Sequence, residues 1–152
     1  VATLPPAERE RLEPLPPNVR AVEFAPLHAL AATCSAVINH GGAGTVLSML
    51  DHGVPQVIVP RMQFDEKLMA AGVGRAGAAV VLTGGTVGGT QVREALDRVL
   101  TDPAYARGAA GARDRMRELP SPNEVVGTLT GLVRETAGEA PKPVDAVGSA
   151  GT

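Results

Sequence analysis

The sequence predicts a parallel α/β fold with helices on both faces of its sheet, and three observations carry that prediction. The first is residues 36–39, Ala-Val-Ile-Asn, a buried strand that runs through Gly41, Gly42, Ala43 and Gly44 into a helix bearing Val46, Leu47 and Leu50. The second is a pair of further apolar runs, 56–59 (Gln-Val-Ile-Val) and 78–82 (Ala-Ala-Val-Val-Leu), each reached through a helical stretch. The third is the stop signal between the first two strands, Gly53 at a left-handed helix end and Pro55 just beyond it. Strand, helix and strand at such short spacing form a right-handed crossover with parallel strands.

The elements follow in order. Residues 1–4, Val-Ala-Thr-Leu, read as the tail of a strand, and Pro5-Pro6 open a short helix through Leu12. Pro14, Pro16 and Pro17 end it, and residues 18–24 read as a strand with Val19, Ala21 and Val22 as its inward candidates. Pro26 starts a new element, a short helix over residues 28–32. After the glycine turn, its helix and the second strand, Asp65 and Glu66 open a helix to about Gly72, where their charge suits the helix dipole. Residues 83–89 form a glycine-rich connection, with Thr90 expected to cap a helix carrying Val92, Leu96, Val99 and Leu100. Asp102-Pro103 breaks it and a more polar helix follows over 105–119. Ser121-Pro122-Asn123-Glu124 is a capping box opening a last helix with Val125, Val126, Leu129, Leu132 and Val133. Residues 137–152, without periodicity, read as a disordered tail, which leaves 1–136 as the domain.

Composition narrows the function. The chain has 152 residues and a net charge of −2, which argues against the basic stripe of a nucleic-acid partner. Aromatics make up 2% of it, so stacking platforms for single strands are missing. The single Cys34 fits a small buried hydrophobe in a reducing compartment. No apolar run reaches membrane-span length, so the expectation is a cytoplasmic protein without a membrane partner. His28, His40 and His52 are too far apart for a chelating pair, no Asp-x-Asp is present, and no metal site is expected.

The glycine turn carries the chemistry. A strand running through glycines into a helix presents free backbone N–H groups and the positive end of the helix dipole, a site for phosphate. His40 stands at the carboxyl end of the strand, where it can add a donor. No Gly-Lys-Ser/Thr closes the turn and its glycines lack the spacing of the dinucleotide fingerprint. A tight turn with nothing bound is the competing reading.

Taken together, His40-Gly41-Gly42-Ala43-Gly44-Thr45, then Gly53-Val54-Pro55, then Pro60 and Asp65, resemble the nucleotide-sugar motif of GT-B glycosyltransferases. The likeness is greatest to actinobacterial enzymes that attach deoxysugars to natural products; it runs from about Pro17 to Leu82, and Ser121 to Val126 also fits the family's late helix. It implies the C-terminal, Rossmann-like half of a GT-B enzyme, with the first strand of the sheet expected before Val1 and an acceptor-binding N-terminal domain as partner. It also implies inverting transfer of a deoxysugar from a dTDP-sugar to a hydroxyl of an aglycone. The nucleotide sugar is a co-substrate, and no cofactor is expected. UDP-sugar transferases, sugar-nucleotide epimerases and non-catalytic partner proteins of the same architecture are the alternatives.

The resemblance also assigns residues. Phe24, before Ala25-Pro26, takes the place of the family's base-stacking ring, with the Ala25 backbone on the base edge; an ordinary core aromatic is the competing role. His40, Gly41, Gly42, Ala43, Gly44 and Thr45 surround the diphosphate, with His40 stabilising the leaving group; a neutral imidazole capping a carbonyl competes for His40. Ser48 stands where UDP-using relatives carry a ribose-binding glutamate, which points to dTDP. Asp65-Glu66 matches the Asp-Gln pair that grips sugar hydroxyls, with Glu66 departing from it; plain charge at a helix start is the alternative. The general base is expected in the N-terminal half, and the piece in hand is expected to be inactive alone.

Overall fold

The computed structural model describes residues 1–61 and 64–137, and these form two compact units. The first, Val1–Arg117, contains every strand of the described residues; the second begins at Glu118, where the sequence reading continues one domain to residue 136. The first unit runs β1 (Ala2–Thr3), α1 (Pro6–Leu12), β2 (Ala21–Val22), α2 (Leu27–Ala31), β3 (Val37–Asn39), α3 (Ala43–Asp51), β4 (Gln56–Ile58), α4 (Phe64–Arg75), β5 (Ala79–Val81), α5 (Gly89–Thr101) and α6 (Pro103–Arg117). The second holds α7 (Pro122–Ala137).

All strand pairs are parallel, and they form two sheets. One is β1–β2; the other has the order β3–β4–β5, with Ile38 opposite Val57 and Val57 opposite Val80. A groove of about 660 Å3 lies between residues 1–3 around β1 and residues 36–40 around β3, with Thr45 and Met49 among its other walls. Ile38, on this open side of β3, is exposed.

Side-chain alternation along the strands builds a core on each face of the larger sheet. Ile58 and Ala79 pack with Val46, Leu50, Ala70, Val73, Ala109 and Ala112 from α3, α4 and α6. Val57 and Val80 face the other way, onto Ala95 and Val99 of α5. Ala31 of α2 meets Met49 of α3, and Cys34, read as buried, packs beside them only half-buried. With so many small side chains the backbones approach closely. A Cβ on Gly108 of α6 would collide with the backbone of Gly77, in the turn before β5.

Several boundaries differ from the sequence reading. The strand expected over 18–24 is limited to Ala21–Val22, and Val19 is exposed outside it. Helix α4 runs to Arg75 and carries Gly72 and Gly74 within it; α6 spans Pro103–Arg117 and not 105–119. Thr90 is not the cap of α5. Gly88 holds that position, and the Gln91 side chain accepts its N–H at 2.9 Å, so the helix is closed from within by its own first turn. The capping box at α7 forms as read, with Glu124 Oε2 accepting the Ser121 N–H at 2.7 Å. Ala137, read as the first residue of the tail, is the last of α7, and residues 138–152 lie outside those described.

Candidate functional site: the glycine turn between β3 and α3

Parallel strands place their carboxyl ends on one edge, and in open α/β sheets that edge is where ligands sit. β3 ends there at Asn39, and His40, Gly41 and Gly42 carry the chain into α3. Gly42 is the N-cap of α3 and offers no side chain, so helix bonding begins only with Val46 N–H to Gly42 O at 3.0 Å. The amides of Ala43, Gly44 and Thr45 are thus the unbonded donors that every helix start leaves.

The glycines serve different purposes. Gly41 has φ +91°, and a Cβ there would also sit 3.0 Å from the Glu66 carbonyl and 3.2 Å from Ile58. Its N–H is already donated to Asn39 Oδ1 at 2.8 Å, so Gly41 shapes the turn while its amide faces inward. At Gly42 a Cβ would stand 2.7 Å from His40 Nε2, so the missing side chain makes room for the imidazole folded back over the turn. At Gly44 a Cβ would meet nothing within 4 Å. The protein's own packing makes no demand for glycine there, and the space beside the helix start is open.

His40 is 45% exposed along its side chain, and its Nε2 lies 3.8 Å from Glu66 Oε1. Glu66, on the first turn of α4, is 3% exposed. Arg61 clamps it from the preceding loop: the Arg61 N–H reaches Oε2 at 2.8 Å, and the guanidinium reaches Oε1 through Nη2 at 2.8 Å and Nε at 3.1 Å. The guanidinium hydrogen bond, helped by the backbone bond and by the charges of Arg61 and His40, holds the Glu66 carboxyl below the usual carboxylate range against the opposing effect of burial. Asp65, its neighbour, is exposed. The structure therefore brings together His40, residues 41–45 and Glu66, with Asp65 on the same helical turn.

The remaining predicted residues lie on neighbouring elements and are not among those the turn brings together. Phe24 and Ala25 sit on the connection from β2 to α2, and α2 packs on α3 through Ala31 and Met49. Phe24 is 82% exposed, which removes the core-aromatic alternative. Ser48 is one helical turn beyond Gly44 and donates its hydroxyl to the Gly44 carbonyl at 2.7 Å. His52 closes α3, its Nδ1 3.0 Å from the Ser48 carbonyl, and His28 is exposed. Among the described residues no three His, Cys, Asp or Glu side chains gather as a metal site would require. No described helix is long and apolar enough to cross a membrane.

Sequence reasoning missed the polar pair beneath the turn. Gln56 of β4 is fully buried, accepts from Asn39 Nδ2 at 2.8 Å and donates to the Val46 carbonyl at 3.2 Å. An amide at the head of an otherwise apolar buried strand was the available signal, because such a group must find partners.

The solved structures that share this parallel α/β arrangement are GT-B glycosyltransferases. Residues 1–132 match the family described as Erythromycin biosynthesis protein CIII-like, C-terminal domain, and the chain belongs to that family. It is 45% identical over 136 residues to the aclacinomycin-T 2-deoxy-L-fucose transferase of Streptomyces galilaeus, covering 89% of this chain and 31% of that protein. It is 41% identical over 134 residues to the TDP-daunosamine transferase DnrS of Streptomyces peucetius, covering 87% and 31%. The crystal structure of the glycosyltransferase VinC in complex with dTDP superposes with a TM-score of 0.83 at 36% identity, covering 88% of this chain and 34% of that one. The chain thus spans about a third of the length of these relatives.

Proposed function

We propose that this chain is the donor-binding part of an inverting glycosyltransferase that moves a deoxysugar from a dTDP-sugar to a hydroxyl of a natural-product aglycone. The observation that carries the reading is the start of α3, with three unbonded amides beside an exposed His40 and open space at Gly44. In this reading the amides of Ala43, Gly44 and Thr45, the Thr45 hydroxyl and His40 hold the diphosphate. Phe24 stacks on thymine, the Ala25 backbone meets the base edge, and Ser48 borders the deoxyribose. Asp65 is on the sugar side, while Glu66 stands beneath the turn in the grip of Arg61. The relatives named for 2-deoxy-L-fucose and TDP-daunosamine, and the dTDP bound to VinC, support a thymidine nucleotide and a deoxysugar.

Mechanistically, an acceptor oxygen attacks the anomeric carbon from the face opposite the nucleotide. The bond from that carbon to the β-phosphate oxygen breaks, and its electron pair remains on dTDP. Charge grows on the diphosphate as the bond lengthens, so donors already aimed there stabilise the transition state more than the ground state. The helix start and His40 supply those donors, and the reading asks for no cofactor. The acceptor and the base that takes its proton belong to an N-terminal acceptor-binding domain.

The test is calorimetric titration of this chain with dTDP and with UDP, beside His40→Ala. The expected result is tighter binding of dTDP, weakened roughly tenfold (about 1.4 kcal/mol) in the variant. Equal or tighter binding of UDP would remove the thymidine assignment, and indifference to His40→Ala would remove the histidine from the diphosphate.

A further inference from the structure

Beneath the glycine turn lies a chain of hydrogen bonds with only one possible direction. It begins at the Gly41 N–H, which can only donate, and Asn39 must therefore present Oδ1 to it, at 2.8 Å. That turns Asn39 Nδ2 toward Gln56, which must present Oε1, also at 2.8 Å. Gln56 Nε2 is then left facing the Val46 carbonyl, which can only accept, at 3.2 Å. Backbone groups of fixed polarity stand at both ends, so neither amide can flip without placing donor against donor or acceptor against acceptor. Val37, Asn39, Gln56 and Ile58 share one sheet face by strand alternation and register, and that face is the one α3 covers.

We propose that Asn39 and Gln56 are positioning residues for the diphosphate: their bond chain joins the ends of β3 and β4 to the first turn of α3 and so sets where the free amides point. The inference rests on the diphosphate reading above. The chain turns the Gly41 amide inward, so the donors offered to a ligand begin beyond it. It also ties the Val46 carbonyl, and through it the first turn of α3, to the most buried strand of the sheet. Preorganised donors stabilise growing charge because they need not reorient as it develops. Gln56 never touches the ligand in this scheme, and its effect is confined to the phosphate end.

The experiment compares wild type, Gln56→Met and Asn39→Ala with Val99→Ala, a cavity variant in the cluster on the opposite sheet face. Titrations with dTDP and with thymidine separate phosphate from base, and amide hydrogen exchange follows Gly41 in the unliganded chain. Gln56→Met keeps the volume but loses the amide. It should weaken dTDP about tenfold, leave thymidine within twofold, and speed Gly41 exchange at least tenfold relative to Ile58. Asn39→Ala, at the less buried end, should do the same where Gln56→Met folds poorly. Val99→Ala should lose stability with dTDP affinity within twofold. Unchanged dTDP affinity or Gly41 exchange in the amide variants would overturn the proposal, and so would an equal loss of thymidine. If wild type fails to bind dTDP, the nucleotide reading fails, and Gly41 exchange alone then decides whether Gln56 sets the turn.

Discussion

Gly44→Ala is the substitution that best separates a ligand site from a mere turn, because the two expectations have opposite signs. Gly44 is the second residue of α3, its φ lies outside the left-handed region, and a Cβ there has nothing within 4 Å. In the unliganded protein alanine should therefore stabilise, by about 0.4–1 kcal/mol, through the reduced freedom of the unfolded chain. For a domain of this size that raises Tm by roughly 1–5 °C. With dTDP the methyl occupies the space through which phosphate oxygens reach the α3 amides. Loss of one charge-assisted hydrogen bond costs about 1.5–3 kcal/mol, or about 10–150-fold in Kd.

The assay is thermal unfolding of both proteins across a dTDP series. At a ligand concentration near 100 times the wild-type Kd, binding adds about 2.7 kcal/mol to wild type. A variant with Kd weakened about 30-fold gains only about 0.9 kcal/mol at the same concentration. The melting order should reverse, with Gly44→Ala higher in the absence of dTDP and wild type higher at saturation. If the variant stays above wild type throughout the series, the diphosphate does not approach this turn. A lower Tm without ligand would refute the open space itself.

Two further predictions concern the frame around the site. Gly108→Ala should destabilise the domain by about 1–3 kcal/mol despite its gain in helix propensity, because a Cβ there meets the Gly77 backbone and cannot be swung aside. Urea unfolding checks this, and an unchanged midpoint would show that α6 can move away. Glu66, whose folded-state pKa is depressed below 4.5 by Arg61, adds stability that is fully present above that value and is lost as pH falls through the folded-state pKa. Unfolding midpoints from about pH 6 to pH 3 should therefore fall more steeply for wild type than for Glu66→Gln, and parallel curves would refute the pairing.

Much of the fold was legible because it rests on local signals. Val-Ile runs marked β3 and β4, and Gly53, with φ +68°, ended α3 where the sequence placed it. Thr90 misled because Gln91 can reach back to the Gly88 amide, a contact that fixes the helix start two residues earlier. At the site, the glycines read alike in sequence but answer to three causes, a left-handed turn at Gly41, clearance for His40 at Gly42 and open space at Gly44. Only neighbours distant in sequence distinguish them, such as the Glu66 carbonyl against Gly41. Asn39 and Gln56 were hidden for the same reason, being 17 residues apart and joined only when β3 pairs with β4.

The adjacent carboxylates show how burial divides roles that sequence leaves equal. Asp65 and Glu66 open the same helix, yet Asp65 is exposed while Glu66 is buried beneath His40 and bound on both oxygens by Arg61. To reach a sugar, Glu66 would have to give up the hydrogen bonds that keep it ionised in a desolvated place, and burial would then raise its pKa. Arg61 is mostly exposed along its side chain and can turn to solvent at little cost, so the penalty falls on the carboxylate. Of the pair, Asp65 is the one free to meet a sugar hydroxyl without dismantling the site. Glu66 serves the same site from underneath, through its carbonyl against Gly41 and its carboxylate near His40 Nε2.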